Sequence, residues 1–118
     1  MISTIHPIPA FSDNYIWAIR EAGSNIICVV DPGDAHPVID YLNSNDYQLS
    51  DILITHHHPD HTGGIQALLD SYDCRVIGPG SSGIQGLSEV VKEDDRIEVF
   101  GQTLSVIEVP GHTLDHIA

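Results

Sequence analysis

The segment Thr55-His56-His57-His58-Pro59-Asp60-His61 constrains this chain more than any other part of it. It follows Ile52-Leu53-Ile54, an apolar triplet that reads as a short buried strand. Four of its side chains, His56, His58, Asp60 and His61, can bind a divalent metal as they stand. Imidazole and carboxylate suit zinc and iron, and a metal with an open position makes hydroxide available near neutral pH. Residues two apart on an extended stretch point the same way, so His56 and His58 share a face and His57 points away. A tight turn through Pro59 brings Asp60 and His61 to a neighbouring position. A fold for this chain must end a strand where these donors can be aimed at one place.

A second island, Gly111-His112-Thr113-Leu114-Asp115-His116, lies near the end. His112 follows Pro110-Gly111 at a strand end and is the natural third member of a His-His-His site. His116 either orients a ligand from behind the metal or simply packs. Asp31, before Pro32-Gly33, also has two readings. It accepts a ring N–H and fixes a histidine tautomer, or it only forms the turn. Gly63 and Gly64 allow close backbone approach behind the metals. His6 and His36 carry no spacing signal and read as structural or surface residues.

Around these islands the chain alternates between strand and helix patterns. Ile2 to Ile8, Tyr15 to Arg20 and Asn25 to Val30 read as strands, the last two joined by a turn at Glu21-Ala22-Gly23-Ser24. Asp13-Asn14-Tyr15 reads as a turn. A helix is expected from Ala35 to about Ser44, with Val38, Ile39 and Leu42 on one stripe. A second helix opens at Gly63-Gly64, with Ile65, Leu68 and Leu69 inward. Arg75 to Ile77 is a short strand, and Pro79 to Gly86 is a loop or a brief helix. Arg96 to Phe100 and Thr103 to Val109 form a hairpin around Gly101-Gln102. The order predicts an α/β fold, a mixed sheet with flanking helices and ligands on loops after strand ends.

Composition narrows the partners. The chain has 118 residues, one domain's worth, and a 42% apolar fraction sufficient for a core. Seventeen acidic residues stand against four basic ones, for a net charge of −13. Nucleic-acid binding needs clustered Lys and Arg, and so does binding to an anionic membrane surface. Neither partner is expected. No apolar run is long enough to cross a bilayer, and Met1 to Ala10 does not read as a signal peptide, so a cytoplasmic location is expected. Cys28 and Cys74 lie far apart in apolar surroundings and read as reduced core thiols.

The motif T-H-x-H-x-D-H at Thr55 to His61 closely resembles the marker of the metallo-β-lactamase superfamily. Within it, glyoxalase II is resembled at Asp13-Asn14-Tyr15, Val30-Asp31-Pro32-Gly33, His61-Thr62-Gly63-Gly64 and Pro110-Gly111-His112-Thr113 with His116. The resemblance implies an αββα sandwich with two metals, zinc with iron or manganese as alternatives, in a cleft between sheet edges. His56, His58 and His112 would hold the first metal. Asp60 and His61 would hold part of the second, with Asp60 also counted as catalytic. Asp31 and His116 would lie behind the ligands. The implied reaction is hydrolysis of an S-(2-hydroxyacyl)glutathione thioester, such as S-D-lactoylglutathione, to glutathione and a hydroxy acid. A lactonase, a persulfide dioxygenase and an inactive metal-binding fragment fit the same motif.

A family member is longer. Its bridging aspartate, a further histidine ligand and its glutathione-gripping groups come from a second half of the sandwich. Asp115 stands too close to His112 to replace the bridge. Residues 1–118 are therefore expected to form a single domain, the truncated N-terminal half of such a sandwich, carrying part of the site. Self-association through its uncovered face is expected of such a fragment.

Overall fold

The structure is a computed structural model that describes residues 2–10, 14–21, 23–55, 64–79, 87–92, 94–100 and 102–106. Strand β1 (Ile2–Ala10) pairs antiparallel with β2 (Asn14–Glu21), and β2 pairs antiparallel with β3 (Ile26–Val30). The β2–β3 turn has Gly23 at φ +71°, a left-handed conformation that glycine adopts without a Cβ penalty. Ser24 N–H closes the turn on the Glu21 carbonyl at 3.2 Å.

From β3 onward the sheet is parallel. β4 (Gln48–Leu53) lies beside β3, β5 (Arg75–Pro79) beside β4, and the short β6 (Glu89–Val91) beside β5. The spatial order is β1-β2-β3-β4-β5-β6. A separate antiparallel hairpin joins β7 (Arg96–Val99) and β8 (Gln102–Ser105).

Helix α1 (Ala35–Asn45) links β3 to β4, and α2 (Ile65–Ser71) precedes β5. Asp34 caps α1, its Oδ1 accepting from the His36 N–H at 3.1 Å. Pro37 sits in the first turn, where its missing N–H costs nothing. The helix stops at Asp46, which takes a left-handed conformation and returns its N–H to the Leu42 carbonyl. Ala35, Val38 and Leu42 form the buried stripe, with Ile39 half-buried beside it.

Both helices pack on one sheet face. Val38, Leu42, Ile65 and Leu68 meet Ile27, Val29, Ile52, Ile54 and Val76 in the main core. Each large aliphatic side chain buried there is worth roughly 1.5–3 kcal/mol relative to exposure. On the other face, Leu53, Ile77 and Val91 meet Ile97 and Val106 from the hairpin and its flank. The layers are therefore helices, a six-stranded mixed sheet, and a second β layer, as the α/β expectation requires. The hairpin does not cover that face completely: Ile5 is 61% and Trp17 44% exposed.

The largest departures from the sequence reading are at β4 and β6. β4 begins at Gln48, well before Ile52, because its polar first half finds partners across the sheet. Ser50 Oγ donates to the Ile27 carbonyl at 3.3 Å, and buried Asp51 pairs with Arg75 at 2.6 Å. β6 was not expected. It is held to β5 by pairing and by Ser88, whose Oγ accepts from the Val76 N–H at 2.7 Å. Pro79, read as the start of a loop, ends β5, and Asn14 and Tyr15, read as part of a turn, open β2, while residues 80–86 and Asp13 lie outside the described residues. No helix among the described residues is long and apolar enough to cross a membrane.

Candidate metal centre

Strands β3, β4 and β5 are parallel, so their C-terminal ends share one edge of the sheet. Open α/β sheets place ligands beyond such an edge. β3 ends there and delivers Asp31. β4 ends there and delivers Thr55, after which His56 begins the ligand-rich segment. His56, His57, His58, Asp60, His61 and Gly63 lie outside the described residues, as do His112, Asp115 and His116. The structure describes the frame that carries them.

That frame is tightly bonded. The Asp31 N–H donates to the Leu53 carbonyl at 2.8 Å, extending the β3–β4 ladder past Val30. The Ile54 N–H donates to the Ile77 carbonyl at 2.8 Å, extending β4 along β5. Asp31 then leaves the strand at φ +54°, a left-handed conformation that aspartate tolerates better than most residues. Its carboxylate is buried and accepts two short hydrogen bonds. Thr55 N–H donates to Oδ1 at 2.7 Å, and Thr55 Oγ donates to Oδ2 at 2.6 Å. Bonds to an ionised acceptor are about twice as strong as neutral ones.

Asp31 therefore combines a turn with an anchoring role that neither sequence reading contained. The Gly33 N–H closes the turn on the Asp31 carbonyl at 2.9 Å, while the carboxylate grips the residue just before His56. The threonine that opens T-H-x-H-x-D-H was the available signal. At the far end of the segment, the Gly64 N–H donates to the Pro32 carbonyl at 2.8 Å. A Cβ on Gly64 would stand 2.6 Å from that oxygen. The expectation of close backbone approach holds at Gly64, against the β3–α1 turn. Gly63 lies outside the described residues.

The second island follows β8 in the sequence. A cavity of about 250 Å³ opens between the sheet and the hairpin, almost wholly apolar, with Val30, Leu53, Thr55, Ile77, Leu104 and Val106 in its wall. Thr55 and Val106 are the last described residues before the first and second histidine islands. Both line this one cavity.

The remaining polar groups lie elsewhere. Asp51 and Arg75 pair on the same sheet face, lower on the parallel strands, and Arg75 also donates to the Glu98 carbonyl of the hairpin at 3.0 Å. The hydrogen bond to Asp51 raises the Arg75 pKa. Burial pushes the Cys28 thiol far up, and burial with the Asp51 and Asp73 charges pushes Cys74 up to about 11. Both free cysteines are therefore held as thiols near neutral pH, the form that is a poor nucleophile. His6 stacks on Tyr41 at 4.9 Å, and exposed His36 reaches Asp40 at 3.3 Å. Both are surface residues, as read.

The donors His56, His58, Asp60, His61 and His112 are imidazoles and one carboxylate, the set that zinc, iron and manganese accept. By the chemistry of their donor atoms, these residues fit a divalent metal.

Known proteins resemble this chain over nearly its whole length. Over 115 residues the chain is 56% identical to a hydroxyacylglutathione hydrolase of Chromohalobacter salexigens, an alignment covering 98% of this chain and 45% of that protein. It is 50% identical over 115 residues to a hydroxyacylglutathione hydrolase of Pseudomonas syringae pv. syringae, covering 97% and 44%. The chain thus spans just under half the length of these relatives. Among solved structures, ETHE1 from Myxococcus xanthus superposes with a TM-score of 0.82 at 24% identity, covering 98% of this chain and 52% of that one. BLEG-1 B3 metallo-beta-lactamase superposes with a TM-score of 0.81 at 20% identity, covering 97% and 65%. These structural likenesses show the fold. The family pattern itself runs over residues 11–118 and takes in both histidine islands, and on that match the chain belongs to the metallo-beta-lactamase superfamily.

Proposed function

We propose that this chain carries the first metal site of a hydrolase that cleaves the thioester of an S-(2-hydroxyacyl)glutathione. The observation behind the metal reading is that Thr55 and Val106, the last described residues before the two histidine islands, line one cavity. The fold alone does not select the substrate, because superfamily folds host several chemistries. The thioester reading is supported by the relatives named hydroxyacylglutathione hydrolase.

In this reading His56, His58 and His112 hold one divalent metal, zinc or alternatively iron or manganese. Asp60 and His61 supply part of a second site, and Asp60 also serves in catalysis. His116 stands behind the ligands. A bound metal supplies hydroxide near neutral pH and polarises the carbonyl under attack. Water adds to the thioester carbonyl, the C–S bond breaks, and the products are a 2-hydroxy acid and glutathione. Glutathione belongs to reducing compartments, which fits the two free cysteines and a cytoplasmic location.

The test is a substrate comparison at stoichiometric protein, with zinc added or chelated. S-D-lactoylglutathione, a lactone and a β-lactam are each presented to the chain. The reading expects zinc-dependent release of glutathione from the thioester, lost in His58→Ala, and faster than cleavage of either other substrate. Zinc-independent release, or preference for the lactone or β-lactam, would overturn it.

A further inference from the structure

We infer that Pro7 and Pro9 close the outer edge of the six-stranded sheet against strand addition by a second copy of this chain. β1 stands at the end of the strand order, and among the described strands it pairs with β2 alone. A strand in that position offers its free N–H and C=O groups to any extended chain that lies alongside. At nine residues, β1 is long enough to serve as such a template.

The β1–β2 register decides which groups face outward. From Thr4↔Arg20 to Ala10↔Asn14 it runs without a slip, with Pro7 opposite Trp17 and Pro9 opposite Tyr15. Antiparallel pairs alternate between those that exchange two N–H···O bonds and those that exchange none. Proline has no N–H to give, so Pro7 and Pro9 occupy pairs of the second kind. Alternation puts Ile5 with them and gives the bonds to β2 to His6 and Ile8. The backbone groups of Ile5, Pro7 and Pro9 therefore point away from β2. Of these residues only Ile5 carries an N–H. A strand laid along this edge would meet a proline ring at two successive donor positions, and its own carbonyls there would be left unpaired.

The side chains beside this edge show what the closure prevents. Ile5, 61% exposed, and Trp17, 44% exposed, share the sheet face away from the helices. On the opposite face His6 stacks on Tyr41 of α1, and Ile8 is buried in the main core. A long edge flanked by exposed apolar side chains is a ready seed for strand-by-strand association. The far edge of the sheet is blunted in another way, since β6 is only three residues long. Neither end of the sheet offers a full run of donors and acceptors.

The test replaces the prolines by threonine, a strand former that restores the N–H and adds little apolar surface. Pro7→Thr, Pro9→Thr and the double variant are compared with the parent by sedimentation velocity at matched concentrations. Far-ultraviolet circular dichroism checks that each folds, and hydrogen exchange reads the amides of residues 5, 7 and 9. The closure predicts that the double variant associates roughly ten- to a hundredfold more tightly than the parent, the effect of regaining about two backbone hydrogen bonds per copy. Its amides at 5, 7 and 9 become protected as it associates. The single variants move the same way, and they carry the prediction if the double variant does not fold. Association no tighter than the parent's in the folded variants would overturn the inference. So would tighter association in which those amides stay unprotected, because contact would then run through the Ile5 and Trp17 face and not along the edge.

Discussion

Replacing Gly64 by alanine sets two effects of opposite sign against each other. Gly64 has φ −91° and ψ −5°, a backbone conformation open to any L-residue. By conformational entropy alone, Gly→Ala at such a position stabilises by about 0.4–1 kcal/mol. The structure puts the new Cβ 2.6–2.8 Å from three backbone atoms of residues 32 to 35. Those atoms belong to a turn held on both sides, so they cannot move aside as a flexible side-chain tip would. Overpacking of this kind costs about 1–3 kcal/mol and more where backbone must shift. The steric effect wins, with a net loss of about 1–2 kcal/mol. At a urea dependence of about 1–3 kcal/mol per molar, the unfolding midpoint of the metal-free chain falls by roughly 0.3–2 M. Gly23 is the control, since at φ +71° it has nothing within 4 Å of its missing Cβ. Gly23→Ala loses about 1–2 kcal/mol from backbone strain alone, and Gly23→Asn loses less because asparagine tolerates that region. Gly64→Asn recovers nothing. An unchanged or raised midpoint in Gly64→Ala would refute the close approach of residue 64 to the β3–α1 turn.

Further outcomes follow from the core and the charges. Arg75→Ala leaves the buried Asp51 carboxylate without its 2.6 Å partner and frees the Glu98 carbonyl. With Arg75 42% exposed, the expected loss is about 1–3 kcal/mol, and an unchanged urea midpoint would contradict it. Leu42→Ala opens a cavity in the α1–sheet core and costs about 2–5 kcal/mol, read the same way. Cys74 is an acid whose folded pKa is raised to about 11, so folding favours its protonated form. Its contribution is fully present below the unfolded thiol pKa of about 8.5 and is lost as pH rises toward the folded value. Stability should therefore fall more steeply between about pH 9 and 11 in the parent than in Cys74→Ala, and equal slopes would refute the assignment.

Much of the architecture is legible in local pattern, and the exceptions share one cause. Val38 and Leu42 recur at helical spacing and are buried where that spacing places them. Ile27 to Val29 is apolar enough to announce a covered strand. The first half of β4 hides because Gln48, Ser50 and Asp51 are polar, and Asp51 becomes a core residue only through Arg75, 24 positions away. β6 hides because three residues, with one buried among them, are too few to show a period. A candidate ligand set can be named because spacing in T-H-x-H-x-D-H is itself chemical information. Asp31 was half legible. Its turn is local, but its partner Thr55 is also 24 positions away and comes within reach only when β3 and β4 lie side by side. The Pro32–Gly64 contact has the same origin. Parallel pairing brings distant residues together, and no window along the chain displays it.

The account's central claim is that the two histidine islands together hold a metal. The most direct measurement is metal content per chain after purification without added metal, in the parent and in His58→Ala/His112→Ala, with far-ultraviolet circular dichroism confirming that both fold. The account predicts at least one zinc, iron or manganese per folded parent chain and loss of that metal in the double variant. A folded parent that holds no metal, or a double variant that holds as much as the parent, would contradict it.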